Sequence, residues 1–197
     1  MSIKSREICS FRNTLDRMRI SFSCVMKESV FPVRIFPVPQ KIGIFVGLFA
    51  VCALLPALVH SQWITGPLVN AALLLATVLL GTSEALFIGL FPSSVALTFG
   101  LLPLPLAPMV PFIMIANAIY VKSFSYGKHF GFWISAGIAA FLKFAFLTLS
   151  VIFLFPHLLV PENAERVATM LTLPQLVTAI VGAIIVFPIL KILKKKV

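Results

Sequence analysis

Charged side chains are scarce in this sequence. Asp, Glu, Lys and Arg make up only 11% of its 197 residues, whereas about a quarter of a soluble domain is usually charged. Hydrophobic residues account for 60%, and the mean hydropathy is +1.08. This composition excludes an ordinary soluble domain and favours an integral membrane protein. At roughly 20 apolar residues per crossing, the length allows one bundle of about six helices.

Acidic residues are the scarcest charged type, and catalytic motifs are missing. Only six residues are Asp or Glu, and Glu84 alone falls within a predicted span. The sequence contains no Walker A, HExxH or GxSxG motif. We therefore predict that the chain is not an enzyme. Carriers driven by protons or ions usually place carboxylates within the membrane, so the shortage also argues against autonomous active transport.

Metal-ligand spacing is missing as well. Cysteine occurs three times, at Cys9, Cys24 and Cys52, and His60, His129 and His157 are scattered along the chain. Neither set has the close spacing that zinc sites show. The sequence thus predicts no metal and no cofactor.

The basic residues, in contrast, are concentrated. The formal net charge is +10, and eight of the sixteen Lys and Arg residues lie within residues 1–41. In a soluble protein this excess would suggest nucleic acid, but in so apolar a chain it indicates orientation and attraction to anionic lipid. We divide the chain into a basic, proline-containing tail over 1–40 and a transmembrane domain over 41–197. Met18 and Met26 are alternative starts, so the first residues are either part of the protein or an artefact of start assignment.

Six apolar runs predict an all-α bundle of six transmembrane helices. They cover about Ile42 to Val59, Pro67 to Gly81, Glu84 to Leu101, Pro111 to Val121 (or from Pro108), Phe130 to Phe155, and Leu173 to Leu190. Thr82 or Ser83 is a candidate cap for the third span, with Glu84 in its first turn. Six spans place both termini and the basic segments on one side, which the positive-inside rule makes cytoplasmic. We expect a multi-pass protein of the plasma membrane.

The stretch His60 to Val121 carries isolated polar residues where lipid would make them costly. With Lys143, they are predicted to converge on the outer half of the bundle, because Lys143 lies roughly 22 Å above the inner surface if one helix runs from Lys128. Intramembrane polar residues tend to face the interior and mark substrate or ion paths. The candidate substrate-binding residues are Gln62, Trp63, Thr65, Asn70, Asn117 and Lys143.

Each candidate also has a structural interpretation. Lys143 could extend its stem to the interface, Trp63 could be an interfacial anchor, and the two Asn residues could bond neighbouring helices. Three helix N-termini would face the outer mouth, which with Lys143 suits a ligand bearing a carboxylate or phosphate. We expect Tyr120, Tyr126 and Trp133 to form an aromatic belt at the inner interface.

Several of these features together resemble the substrate-binding S component of an energy-coupling-factor (ECF) transporter. They are six spans in about 160 residues, an outer loop after the first, a small-xxx-small pair on the first and a basic inner side. The runs QWITGPLVNA and GLLPLPLAPMVPFIMIANAIYV resemble a branch of that family without an assigned substrate. The resemblance implies that loops His60 to Gly66 and Leu102 to Pro108 close over the ligand. It also implies that Ala53 and Ala57 contact a transmembrane T component and that separate ATPase subunits hydrolyse ATP.

The sequence therefore predicts a membrane subunit that captures a small vitamin-like or anionic metabolite from outside and relies on those partners. The alternative is a structural or accessory membrane subunit of another complex, for example a redox enzyme, without a ligand pocket.

Overall fold

The computed structural model describes residues 37–59, 61–98, 108–153, 169 and 171–195. These residues form six α-helices and no strand. The helices are α1 (Val38–Leu58), α2 (Gln62–Leu79), α3 (Thr82–Thr98), α4 (Val110–Gly127), α5 (Phe132–Phe153) and α6 (Leu173–Lys195), with a 3₁₀ turn at Lys128–Phe130 between α4 and α5. The predicted all-α class is thereby confirmed.

The second helix begins earlier than predicted. Residues 62–66, expected to lie in a loop, are the first turns of α2, and Pro67 lies inside that helix instead of at its first position. Ser61 is extended, and its carbonyl accepts hydrogen bonds from the backbone N–H groups of Ile64 and Thr65. The Thr65 hydroxyl donates to the same carbonyl at 3.1 Å. These bonds form the first turn of α2 ahead of Pro67, which has no backbone N–H to donate.

Two glycines make the tight turns at one end of the bundle. Gly81 (φ 127°) precedes α3, and Gly131 (φ 101°) precedes α5. Only glycine adopts such angles without strain. The Ala85 N–H donates to the Gly81 carbonyl. Gly81 therefore accepts the first hydrogen bond of α3 and precedes the helix in place of the predicted Thr82 or Ser83 cap. Glu84 lies in the first turn as predicted.

Successive helices alternate in direction around α2. Hydrogen bonds pair Thr82 with Ser125 and Ser94 with Met114, so α3 and α4 are antiparallel. Half of the residues in the apolar stretch of α2 are buried, compared with 11% of those in the apolar stretch of α1. Helix α2 is therefore central, and α1 lies at the periphery, against α2 and α3.

Four helices are long and apolar enough to cross a membrane: α1 over Val38–Pro56, α2, α5, and α6 over Leu173–Leu193. Large apolar side chains also cover the outside of the described bundle, including Phe141 and Phe153 on α5, which are 58% and 67% exposed. A surface of this kind suits lipid better than water. The fold thus favours a membrane protein, and six crossings stay a prediction because α3 and α4 are not among the four.

Apart from Lys143, the charged residues in the part of the chain that the structure describes lie at one end of the bundle, where α2, α4 and α6 finish. Among the described lysines, only Lys143 lies elsewhere; the rest include Lys122, Lys128 and Lys191. We call this the basic end. The Lys128 amino group donates to the Thr77 carbonyl at 3.4 Å, in the last turn of α2, and burial lowers the pKa of that amino group. A cation suits the C-terminal end of a helix, whose carbonyls carry partial negative charge.

Candidate functional site

Polar side chains from four helices meet inside the bundle. Asn70 of α2, Asn117 of α4, Lys143 of α5 and Thr178 of α6 are all buried, with exposed fractions between 0% and 4%. We call these four residues the polar node. The two members farthest apart in sequence, Asn70 and Thr178, are separated by 108 residues. The polar node therefore exists only because the helices pack together.

Lys143 is the centre of the polar node. Its amino group donates to the Oδ1 atom of Asn70 at 2.7 Å and to that of Asn117 at 2.9 Å. It also lies 5.3 Å from the centroid of the Tyr120 ring, within the range of a cation–π contact. One side chain thereby links α5 to α2 and α4.

Further hydrogen bonds set the direction of both asparagine amides. The Nδ2 atom of Asn70 donates to the Thr178 hydroxyl at 3.4 Å, and that of Asn117 donates to the Gly89 carbonyl at 3.1 Å. Because an amide has its donor and acceptor on opposite atoms, these bonds point both Oδ1 atoms at Lys143. The longer of the two bonds leaves Asn70 less firmly fixed than Asn117.

Glycine permits the close approach of helices that the polar node requires. A Cβ atom at Gly182 of α6 would lie 2.9 Å from the Asn70 Cβ atom. A Cβ atom at Gly89 of α3 would lie 3.3 Å from the Asn117 Cβ atom. Small residues at such crossings let membrane helices pack backbone to backbone. The two asparagines are thus each held against a glycine of a neighbouring helix.

The Lys143 amino group has neutral oxygen partners only. Glu84 is the one acidic residue in the part of the chain that the structure describes, and it is exposed at the start of α3. Buried charges in proteins are normally paired with an opposite charge. Within the described residues, this cation has no such pair.

Lys143 lies near the middle of α5, closer to the basic end than predicted, whereas Thr178 lies in the first third of α6, toward the opposite end. That the polar residues gather in the outer half of the membrane stays a prediction. Lys143 comes eleven residues after Phe132, the first residue of α5, which is roughly 16 Å along the helix axis. The predicted depth assumed one helix from Lys128 onward. Gly131 breaks that helix, since its positive φ ends the 3₁₀ turn before α5 begins.

The other three candidate substrate-binding residues lie away from the polar node, on the first turn of α2. Trp63 is 62% exposed, and Gln62 is partly buried. Thr65 is buried, but its hydroxyl bonds the Ser61 carbonyl. The structure therefore brings together Asn70, Asn117 and Lys143 of the six, and whether any of them binds a substrate stays a prediction.

Of the two predicted partner-contact residues on α1, only the side chain of Ala53 is described, and the contact with a T component stays a prediction. Ala53 is only 9% exposed and faces the bundle, whereas a Cβ atom at Gly43 or Gly47 would meet nothing within 4 Å. The Ala57 side chain lies outside what the structure describes. The same is true of His60 and of residues 102–107 of the two predicted lid loops.

The sequence interpretation missed two residues in and beside the polar node, Thr178 and Tyr120. Thr178 is an isolated hydroxyl in an apolar run, the same signal that identified the asparagines. Tyr120 was assigned to an interfacial belt, but it is fully buried and donates to the Ala179 carbonyl at 3.2 Å. Tyr126 and Trp133, at 76% and 49% exposed, have the exposure that such a belt requires.

Comparison of this chain with protein-family models, with curated proteins and with solved structures finds no match.

Proposed function

We propose that this chain is the substrate-binding membrane subunit of an uptake system of the energy-coupling-factor type, and that it captures an anionic metabolite at Lys143. The observation that carries this proposal is a buried lysine held by two neutral amide oxygens. An anion is the missing partner for that charge.

The energetic reasoning starts from the cost of burying a cation. Removing an ammonium group from water costs several kcal/mol unless an opposite charge is nearby. Hydrogen bonds to Asn70 and Asn117 recover part of this cost but leave the charge unbalanced. A ligand carboxylate or phosphate would balance it, and intramembrane ionisable residues commonly mark substrate paths.

The Lys143 amino group has a donor left for one more hydrogen bond. An ammonium has three N–H donors, and two of them are directed at Asn70 and Asn117. The third is the donor that an anionic ligand would take. The first residues of α2, α4 and α6 all lie at the end opposite the basic end, and helix N-termini favour negative charge. An anion entering from that end meets a favourable potential.

The remaining parts of the proposal come from the family resemblance. That resemblance implies a transmembrane T component and separate ATPases as partners, a small vitamin-like solute as substrate and the plasma membrane as location. The shortage of acidic residues supports it, because a subunit without its own coupling groups needs an external source of energy.

A second candidate function has its own support. The polar node is internally bonded, so Asn70, Asn117 and Lys143 also fit a purely structural link between helices. Interhelical hydrogen bonds of this kind typically stabilise membrane proteins by about 0.6 kcal/mol each. In that case the chain is an accessory subunit of another complex and holds no ligand.

Native mass spectrometry of the protein purified from its membranes distinguishes the two candidates. We expect a small anionic molecule bound to the wild type and to Lys122→Met, which removes an exposed lysine, but not to Lys143→Met. An adduct that persists in a folded Lys143→Met protein overturns the proposal. A wild type without any adduct, combined with lower thermal stability of Lys143→Met, identifies the accessory subunit.

A further inference from the structure

The contact between α5 and α6 at the basic end joins an aromatic pair to a lysine. The Trp133 and Phe187 rings lie 4.8 Å apart, and the Lys191 amino group lies 5.0 Å from the Phe187 ring. Trp133 is 49% exposed, and Lys191 is exposed. A cation above an aromatic pair, of which one ring is half-exposed, is an arrangement found at the boundary between lipid headgroups and acyl chains.

An open apolar strip continues from these rings toward the middle of the bundle. On α5, Gly137 and Phe141 follow Trp133 at steps of four residues, which places them on the same helix face. A Cβ atom at Gly137 would meet nothing within 4 Å, while Phe141 is 58% exposed. Gly137 is therefore a recess between two aromatic side chains.

Helix α6 forms the other side of this strip. It runs antiparallel to α5, because Phe132 and Trp133 meet Phe187, whereas Lys143 bonds Asn70 beside Thr178. Ile184 and Ile180 are 54% and 44% exposed. The distance along α6 from Lys191 to Ile180 is eleven residues, roughly 16 Å, close to half of a hydrocarbon core of about 30 Å.

The charges around this end favour an anion. Cations come from α1, α4, the 3₁₀ turn and α6, whereas Glu84 of α3 is the one acid among the described residues there. The described basic side chains are those of Lys41, Lys122, Lys128, His129 and Lys191. An excess of this size attracts a headgroup with net negative charge more than a zwitterionic one.

We propose that the α5–α6 strip, defined by Trp133, Gly137, Phe141, Ile180, Ile184, Phe187 and Lys191, is a binding site for one anionic phospholipid. The lipid phosphate pairs with Lys191, the glycerol region lies against Trp133 and Phe187, and one acyl chain lies in the recess at Gly137. The site is independent of the polar node, since its residues face outward and those of the node face inward.

Native mass spectrometry in mixed micelles that contain phosphatidylglycerol or phosphatidylcholine tests this site. We expect one retained phosphatidylglycerol per chain and weaker retention of phosphatidylcholine. Lys191→Gln should weaken phosphatidylglycerol binding about fivefold, the effect of one basic residue near an anionic surface. Lys122→Gln makes the same change of charge on α4 and should weaken binding less than twofold.

A second pair of variants tests the recess. Gly137→Leu should reduce retention of phosphatidylglycerol, whereas Gly43→Leu, on the open face of α1, should leave it unchanged. Equal weakening by Lys191→Gln and Lys122→Gln would show diffuse attraction and overturn the proposal. Equal retention of the two lipids by the wild type, or displacement of the lipid by soluble glycerol 3-phosphate, would overturn it too. The Lys191 comparison stands on its own if Gly137→Leu fails to fold.

Discussion

The crossing of α2 and α6 yields the sharpest test of the packing that forms the polar node. In Gly182→Ala, the new Cβ atom would lie 2.9 Å from the Asn70 Cβ atom and 3.0 Å from both the Ala71 backbone nitrogen and the Pro67 carbonyl oxygen. Two of these three atoms belong to the backbone of α2, so a side-chain rotation cannot relieve the contact. The helices have to separate, and Asn70 moves with α2.

The magnitude follows from two opposing effects. Overpacking of a close-packed interior typically costs about 1–3 kcal/mol, while replacing a helical glycine with alanine typically stabilises by about 1 kcal/mol. Gly137→Ala isolates the second effect, because its Cβ atom would meet nothing within 4 Å. The difference between the two variants in free energy of unfolding should therefore be about 1–3 kcal/mol, with Gly182→Ala the less stable.

Unfolding in mixed micelles with an increasing fraction of dodecyl sulfate measures this difference, with tryptophan fluorescence as the signal. Both variants keep Trp63 and Trp133, so the same signal serves throughout. If Gly182→Ala unfolds at the same dodecyl sulfate fraction as Gly137→Ala, the close approach of α2 and α6 is wrong, and with it the position of Asn70.

Three further predictions concern the ligand, the turn after α4 and the orientation. Asn70→Asp places a carboxylate where an amide oxygen now lies 2.7 Å from the Lys143 amino group, and its second oxygen can accept a hydrogen bond from the Thr178 hydroxyl. We therefore expect a stable protein that no longer retains an anionic ligand in native mass spectrometry; unchanged retention would contradict the proposed role of that charge. Ser135→Ala removes hydrogen bonds from the Ser135 hydroxyl to the carbonyls of Gly127 and Gly131, and chemical denaturation should show a loss of about 1 kcal/mol. In intact cells, a membrane-impermeant maleimide should label Trp63→Cys but not Lys122→Cys, and the reverse result would invert the orientation.

Much of the fold could be predicted because the apolar runs and their breaks are local. The charge-poor runs in α1, α5 and α6 were visible directly, and a break near Gly81 followed from its Thr-Ser-Glu sequence. The errors are also local in origin. The start of α2 was placed at Pro67, since proline is favoured at the first helical position, but hydrogen bonds to the Ser61 carbonyl begin the helix earlier.

The candidate site was only partly predictable. Asn70, Asn117 and Lys143 stood out as polar residues in apolar runs, and the structure brings them together. Trp63 and Gln62 were included because they were predicted to lie in an outer loop above Asn70, yet they are the first residues of α2, and Trp63 is 62% exposed. The depth of Lys143 also depended on a turn: Gly131 makes α5 begin at Phe132, which places Lys143 near the middle of that helix.

The sequence by itself determined an all-α chain, the approximate positions of its helices and the collection of basic residues at one end, since each depends on residues close together along the chain. Only the tertiary structure decided that Thr178 contacts Asn70 and that Tyr120 is buried beneath Lys143. It also decided that Gly182 leaves the space in which Asn70 packs. The physical reason is that a helix apolar on every side carries no pattern that fixes its rotation. Polar bonds and glycine contacts between distant helices fix it instead, and they form only when the bundle is assembled.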